Sequence, residues 1–272
     1  HKYRVPNIMI SIATSEQELP LLGDPSRSEP ADSNLASIRT RYLDQDQFVV
    51  SQSLLSQTTL DALIHEAEQA RSQACRKSVP GYKASSSVSY DQILQSCPSI
   101  VQLYHSESFI RLLNNITGET LVPCPSRDMH AAAIYNYTRA GDSIGYHYDV
   151  SHYKGTRITV LIGLVNQSES KLVCRLYTKS SPAKTPEQLE VATDPGTVVI
   201  FNGDRILHKV TPLGHNQRRM VLSLQYVTSP HMTISRMFMN DIKDAVTYFG
   251  FRRWLQRTFS SRTTVSTSLM SR

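Results

Sequence analysis

His147 and Asp149 stand two residues apart in IYNYTRAGDSIGYHYD, and His208 follows Asp149 by 59 residues in GDRILHKVTPL. On a β-strand, positions i and i+2 project to one face, so one imidazole and one carboxylate can reach a single ion from one strand end. His208 comes after the strand-like run GTVVIFN and a tight turn, and offers a second nitrogen. Two imidazoles and a carboxylate suit a divalent metal, and three protein ligands on one side leave the opposite coordination positions open. A His-x-Asp pair alone arises easily by chance. The same pair, followed by four strand-like runs, a Gly-containing turn and a second His, is much more specific.

Arg218 and Arg219 open the run RRMVLSLQYV, ten and eleven residues beyond His208. A guanidinium here could hold a carboxylate by a two-point ion pair. Alternation puts Arg219, Val221, Ser223 and Gln225 on one face and Arg218, Met220, Leu222 and Leu224 on the other. A charge followed by small or polar groups suits the inside of a barrel, which favours Arg219, with Ser223 behind it. Two His and one carboxylate with open positions are the facial triad of non-haem Fe(II) oxygenases.

These segments, over about residues 130–228, resemble the Fe(II)/2-oxoglutarate-dependent dioxygenase superfamily in its prolyl-hydroxylase-like branch, whose HxD…H…R motif is complete here. YLDQDQFVVSQSLLSQTTLDALIHEAE resembles the entry strand and helix of that superfamily. The resemblance implies a double-stranded β-helix, a jelly-roll variant, with His147, Asp149 and His208 as iron ligands and 2-oxoglutarate and O₂ as co-substrates. It implies Arg219, with Arg218 as the alternative, as the partner of the distal carboxylate of 2-oxoglutarate. Tyr137, ten residues before His147, would bond the same carboxylate. The implied reaction oxidises an unactivated C–H bond, most simply by hydroxylation, and releases succinate and CO₂. Two positions depart from the branch. Cys174 stands near a co-substrate wall that is normally aliphatic, and Leu164 stands where relatives carry another tyrosine. Related halogenases lose the carboxylate ligand so that chloride can bind iron, and Asp149 is present, which disfavours halogenation.

The elements that must position these residues fall into two halves. Residues 14–35 are polar, acidic and Pro-rich and read as part of an irregular N-terminal arm, 1–41. Residues 42–51 read as a strand feeding a helix over LLSQTTLDALIHEAEQARSQA, capped by Ser51 or Ser53. Residues 76–91 read as a polar loop, and the following helical pattern breaks before ending at Gly118. After Pro125, short alternating runs separated by turn signals at Ala140-Gly141-Asp142, Asp194-Pro195-Gly196 and Asn202-Gly203-Asp204 predict an antiparallel barrel or jelly roll, with its core at about 129–228. A C-terminal helix over MNDIKDAVTYFGFRRWLQR would close a single domain, 42–256. The loops at 76–91 and 151–157 are candidate lids, and Tyr82, Lys83, His152, Tyr153 and Arg157 are candidate substrate contacts.

Composition narrows the function classes. The chain has 272 residues, 40% hydrophobic and 19% charged, as in ordinary globular proteins. No apolar run reaches the roughly 18–20 residues of a spanning helix. No leader pattern is seen in a chain that begins at His1 rather than Met, so a soluble intracellular protein is expected. The net charge is +6, and five of the six excess charges lie in the last 28 residues, leaving a nearly neutral body without a nucleic-acid-binding surface. Residues 257–272 read as a basic, Ser/Thr-rich tail. Cys75, Cys97, Cys124 and Cys174 form no CxxC pair, which argues against a zinc ribbon or a disulfide framework. The expected partner is a small-molecule substrate. A protein side-chain (prolyl-type) hydroxylase and a non-catalytic, cupin-like metal-binding protein are the alternatives.

Overall fold

The computed structural model describes residues 31–231 apart from residues 127, 152 and 180–183. The first thirty residues, the C-terminal helix expected over 239–257 and the basic tail lie outside the described residues.

Helix α1 spans Ala31–Asp44, followed by strand β1 (Phe48–Ser51) and helix α2 (Gln57–Ala70). The strand expected over 42–51 therefore begins only at Phe48. Ile38 and Tyr42, four residues apart, put one helical face into the core. The chain then reverses through Asp46 and Gln47, both in the left-handed region (φ 56° and 61°). The cap of α2 is Ser56, whose hydroxyl accepts from the Thr59 amide at 3.1 Å, not Ser51 or Ser53.

The polar segment after α2 is a hairpin, not a loop. β2 (Cys75–Val79) pairs with β3 (Lys83–Val88), and Gly81, at φ 72°, supplies the turn. Arg76 anchors the hairpin from outside by gripping both carboxylate oxygens of Asp142, at 2.7 and 3.2 Å. Three helices follow, α3 (Tyr90–Ser96), α4 (Pro98–His105) and α5 (Glu107–Thr117), and α5 ends on left-handed Gly118 as its sequence predicts. The strands are β4 (Val122–Pro123), β5 (Ala132–Tyr137), β6 (Ser143–His147), β7 (Arg157–Gln167), β8 (Leu172–Leu176), β9 (Glu187–Val191), β10 (Val198–Asn202), β11 (Leu207–Val210) and β12 (Arg218–Val227).

All pairings are antiparallel, in the order β1-β10-β7-β12-β5-β3-β6-β11-β8-β9. β3 joins the two halves, pairing with β5 through Ser86–Val88 and with β6 through Lys83 and Ala84. The sheet curls into a jelly-roll-like core flanked by the helices, and alternation sorts its side chains into two clusters. Met220, Leu222 and Leu224 of β12 and Ile158, Val160 and Ile162 of β7 pack under the helices. Val221, Leu161, Phe201, Cys174 and Leu176 line the inside of the curl. Buried apolar area of this extent is what stabilises the curled sheet, at about 25 cal/mol per Å². Among the described residues, no helix is long and apolar enough to cross a membrane.

Candidate active site

The inner face gathers the chemistry. His147 ends β6 and sits directly opposite His208 of β11, which in turn faces Cys174 of β8. β6 carries one extra residue between Ile144 and His147, so both point inward despite their odd spacing. Asp149 follows just beyond the strand. His147 Nε2 lies 3.6 Å from Asp149 Oδ1, and His208 Nε2 lies 3.8 Å from Asp149 Oδ2. These distances are too long for hydrogen bonds and short enough for three donors around one cation.

The ring tautomers are set for that task. Each histidine Nδ1 is tied to the carbonyl two residues before it, Gly145 at 2.8 Å and Ile206 at 3.1 Å. Nδ1–H donation to a carbonyl leaves the Nε2 lone pair facing the centre, as a metal ligand requires. Burial, with the charge of His208, pushes His147 down to about 4, against the pull of Asp149, so the ring is neutral at neutral pH. Burial alone would raise Asp149, but His208, His147, Arg157 and the Thr159 hydroxyl outweigh it and hold the carboxyl at about 2. A carboxylate and two neutral imidazoles are the donor set that a divalent metal takes.

Neighbouring side chains on β7 and β12 fix Asp149. Thr159 Oγ1 stands 2.8 Å from Asp149 Oδ2 and 3.0 Å from Gln225 Oε1. Arg157 Nε donates to that same Gln225 oxygen at 2.9 Å, which sets the orientation of the amide, and Gln225 Nε2 donates to Ser223 Oγ at 3.1 Å. Gly203 leaves room for the carboxylate's backbone: a Cβ there would meet the Asp149 carbonyl oxygen at 2.6 Å.

Arg219 is 1% exposed. Its Nε donates to Thr193 Oγ1 at 3.0 Å, its guanidinium lies 5.1 Å from the centroid of the Tyr137 ring, and the Tyr137 hydroxyl is bonded to it. Burial lifts Tyr137 to about 12, against the opposing charge of Arg219, so the phenol stays protonated. Arg219 Nη1 is buried with no hydrogen-bond partner among the described residues. A buried guanidinium nitrogen left unpaired is costly, and a carboxylate is the group that completes it. Arg218 turns the other way and pairs with Glu68 of α2.

The other expected residues are placed as follows. Tyr82 stands edge-on to His147, 6.3 Å between ring centroids. Lys83 is buried on the inner face, where burial and the charge of Lys77 lower it to about 7 against the pull of Asp149. Tyr153 is not a lid residue. It lies in the core under the helices, and its hydroxyl donates to Asp128 at 2.7 Å. Arg157 likewise is a fully embedded strand residue, held by Gln225 and the charge of Asp128. His152 lies outside the described residues. Leu164, the extra residue of β7 where its register with β12 shifts, belongs to the cluster under the helices and does not face the triad. Cys174 does line the inner wall, and burial and the charge of Asp149 raise its thiol. The four cysteines are free. Thr159, Thr193, Ser85 and Lys77 were not anticipated. For Thr159 the signal was present in RITVLIGLV, as a polar residue alternating with apolar ones.

A cavity of about 450 Å³ lined by Arg71, Asn136, Thr138 and Arg218 opens on the opposite side of the sheet and is separate from the triad.

A family model described as Halogenase D matches residues 31–160. No protein of curated function matches the chain. Among solved structures, the non-heme alpha ketoglutarate dependent epimerase SnoN from nogalamycin biosynthesis is similar at 16% identity, with 72% of this chain and 83% of that chain covered and a TM-score of 0.59. The carbocyclase SnoK from the same biosynthesis is similar at 13% identity, over 70% and 83% of the two chains, with a TM-score of 0.55. A prolyl-4-hydroxylase of Pseudomonas putida is similar at 14% identity, over 71% and 97%, with a TM-score of 0.53. The chain thus shares the fold of these structures, and His147, Asp149 and His208 are gathered as two imidazoles and one carboxylate that could hold one metal ion. Because similar structures span epimerase, carbocyclase and hydroxylase, the prolyl-hydroxylase-like branch is not singled out.

Proposed function

We propose that the protein is an Fe(II)- and 2-oxoglutarate-dependent oxygenase that oxidises an unactivated C–H bond of a small molecule, most simply by hydroxylation. The observation that carries this reading is a facial triad facing the same interior as a buried arginine with an unpaired nitrogen. His147, Asp149 and His208 would hold the metal, and Arg219 with Tyr137 would hold the distal carboxylate of the co-substrate. When bound, iron and 2-oxoglutarate supply the oxidising power of the reaction, drawn from O₂ and released with succinate and CO₂.

The chain's own residues do the rest. Gly145 and Ile206 carbonyls orient the two imidazoles, Thr159 and Gln225 orient the carboxylate, and Val221, Leu161 and Phe201 keep the interior dry. Tyr82, at the turn of the β2–β3 hairpin, stands edge-on to His147 and narrows the approach to it, which suits a small molecule better than a side chain of a protein. A non-catalytic, cupin-like role leaves the buried Arg219 without a purpose.

Similarity to a halogenase model raises halide transfer as a second reading. Asp149 opposes it, because its carboxylate fills the position that a halide needs. Anaerobic addition of Fe(II) and 2-oxoglutarate tests the proposal: a weak visible charge-transfer band is expected, and its absence in correctly folded protein would reject the reading. A substrate library scored by succinate formation, with product mass, then separates oxygen from halogen insertion.

A further inference from the structure

On the outer face of the sheet, Val88, Ile134 and Leu222 stand in one row across β3, β5 and β12 and pack under the helices. The next row on that face is Ser86, Asn136 and Met220. Arg218 and Thr138 stand two residues further along β12 and β5, still on the same face. Here α2 has ended at Ala70, and the floor turns from apolar to polar. Ser86, Asn136, Thr138 and Arg218, with Arg71 and Gln217 beside them, line the cavity of about 450 Å³, a volume suited to a small molecule.

The wall of this cavity is rich in donors. Arg71 and Arg218 carry donors only. Gln217 Oε1 accepts from the amides of Gly214 (2.9 Å) and Glu169 (3.3 Å), which leaves the NH₂ end of that side chain for a ligand. Both guanidiniums share the carboxylate of Glu68, Arg71 Nη1 at 3.3 Å from Oε2 and Arg218 Nη2 on Oε1. Two guanidiniums on one carboxylate leave the wall with a net positive charge. Arg218 Nε is buried with no hydrogen-bond partner among the described residues. The floor holds the complementary group. Asn136 is 4% exposed, and its Oδ1 is likewise buried without a partner among the described residues. A polar sheet end that merely faced water would expose such a side chain, and a buried amide that only served the fold would be bonded.

We propose that this cavity is a second ligand site, for a small organic hydroxy acid whose acidic end is a carboxylate or a phosphate. The oxyanion pairs with Arg218, Arg71 and the Gln217 amide, and the ligand hydroxyl donates to Asn136. A hydroxyl suits this position better than an ammonium, which the two guanidiniums would repel. The site is separate from the triad and backs onto the Arg219–Tyr137 pair through the sheet, because Arg218 and Asn136 are the chain neighbours of those residues on the opposite face.

Zn(II) has no redox chemistry, so protein loaded with Zn(II) can be titrated without turnover. One probe series is 3-hydroxybutyrate, butyrate and 1,3-butanediol, and the other is glycerol 3-phosphate, propyl phosphate and glycerol, with binding followed by calorimetry. In one series the hydroxy acid is expected to bind at least ~10-fold more tightly than the neutral alcohol. It should also bind at least ~3-fold more tightly than the acid without a hydroxyl. Which series behaves so identifies the acidic group. The first advantage should collapse in Arg218→Met and shrink in Arg71→Met, a half-exposed position where the fold is not at stake. The second alone should vanish in Asn136→Leu, and the thermal midpoint of that variant should stay at or above that of the unaltered protein, since Oδ1 loses no partner. 2-Oxoglutarate should not displace the probe. Equal binding of hydroxy acid and alcohol in both series, including no binding of either, overturns the proposal. So does an advantage that survives both arginine variants, or a hydroxyl preference that survives Asn136→Leu. Displacement by 2-oxoglutarate would put the acid on the inner face, and a lowered midpoint in Asn136→Leu would make Asn136 a structural residue; either result overturns it as well.

Discussion

A Cβ on Gly203 would lie 2.6 Å from the carbonyl oxygen and 2.8 Å from the Cβ of Asp149. Backbone and Cβ atoms cannot yield as a flexible side-chain end does, so Gly203→Ala should displace the carboxylate ligand while leaving both histidines in place. Affinity for Co(II) or Zn(II), read by titration, should fall by ~10–100-fold, as when the partners of a ligand are lost. The Asp149→Ala variant should fall further and lose product formation. Unchanged yield in that variant would show that the triad is not the active centre. The two arginines make a sharper pair. Losing a buried charged partner costs about 2–5 kcal/mol, so Arg219→Ala should raise the 2-oxoglutarate requirement by ~30-fold or more. Arg218→Ala removes a partly exposed pair with Glu68 and should change it only a few-fold. Succinate formation titrated against 2-oxoglutarate in both variants decides between them. A greater effect of Arg218→Ala would contradict the inward placement of Arg219.

At the scale of elements, the helical layer is joined by polar contacts as well as by packing. Glu66 of α2 accepts from the amides of Ser99 (2.8 Å) and Ile100 (3.1 Å) and so caps α4, whose own cap residue Cys97 makes no side-chain capping bond. Glu66→Ala should lower stability by about 1–2 kcal/mol, the worth of a helix cap made by a carboxylate, measured as a shift in the urea midpoint. Legibility in sequence divided along the same lines. The strands after Pro125 announced themselves because one face is apolar and turn residues separate them, and the inner position of Arg219 followed from alternation alone. The β2–β3 hairpin did not announce itself. Its inward residues are Lys77, Lys83, Ser85 and Ser87, so a strand with polar residues on both faces reads as a loop. Helix α1 was hidden in the same way, since only Ile38 and Tyr42 among its central residues are buried. Tyr153 and Arg157 looked like loop residues beside SHYKG, and only the tertiary positions of Asp128 and Gln225 show why they are buried.

Taken as a whole, the molecule surrounds its buried carboxylates with cations and hydrogen-bond donors, and this sets its response to acid. Asp142 is buried. Burial alone would raise its carboxyl, but Arg76 and the amides of Thr138 and Arg139 outweigh burial and hold it below the usual carboxylate range. Asp128 is in the same position: burial is outweighed by the charges of Arg157 and His130 and by bonds from the Tyr153 hydroxyl and the His130 amide. A carboxyl whose folded pKa is depressed binds protons more readily in the unfolded chain. Its contribution is therefore present in full above the unfolded value of about 3.9 and is lost as pH falls through the folded value. Stability measured by urea unfolding should decline gradually below about pH 6.5, where His147 takes up a proton in the unfolded chain before it does in the folded one, and drop steeply below about pH 4. Asp142→Asn should cost about 1–3 kcal/mol at pH 7, because Arg76 loses a charged partner, and should flatten the acid limb. Asp128→Asn should do the same through Arg157, and the two should add, since they tie different strand ends to the sheet. An acid limb of unchanged slope in the double variant would show that other carboxylates govern the transition.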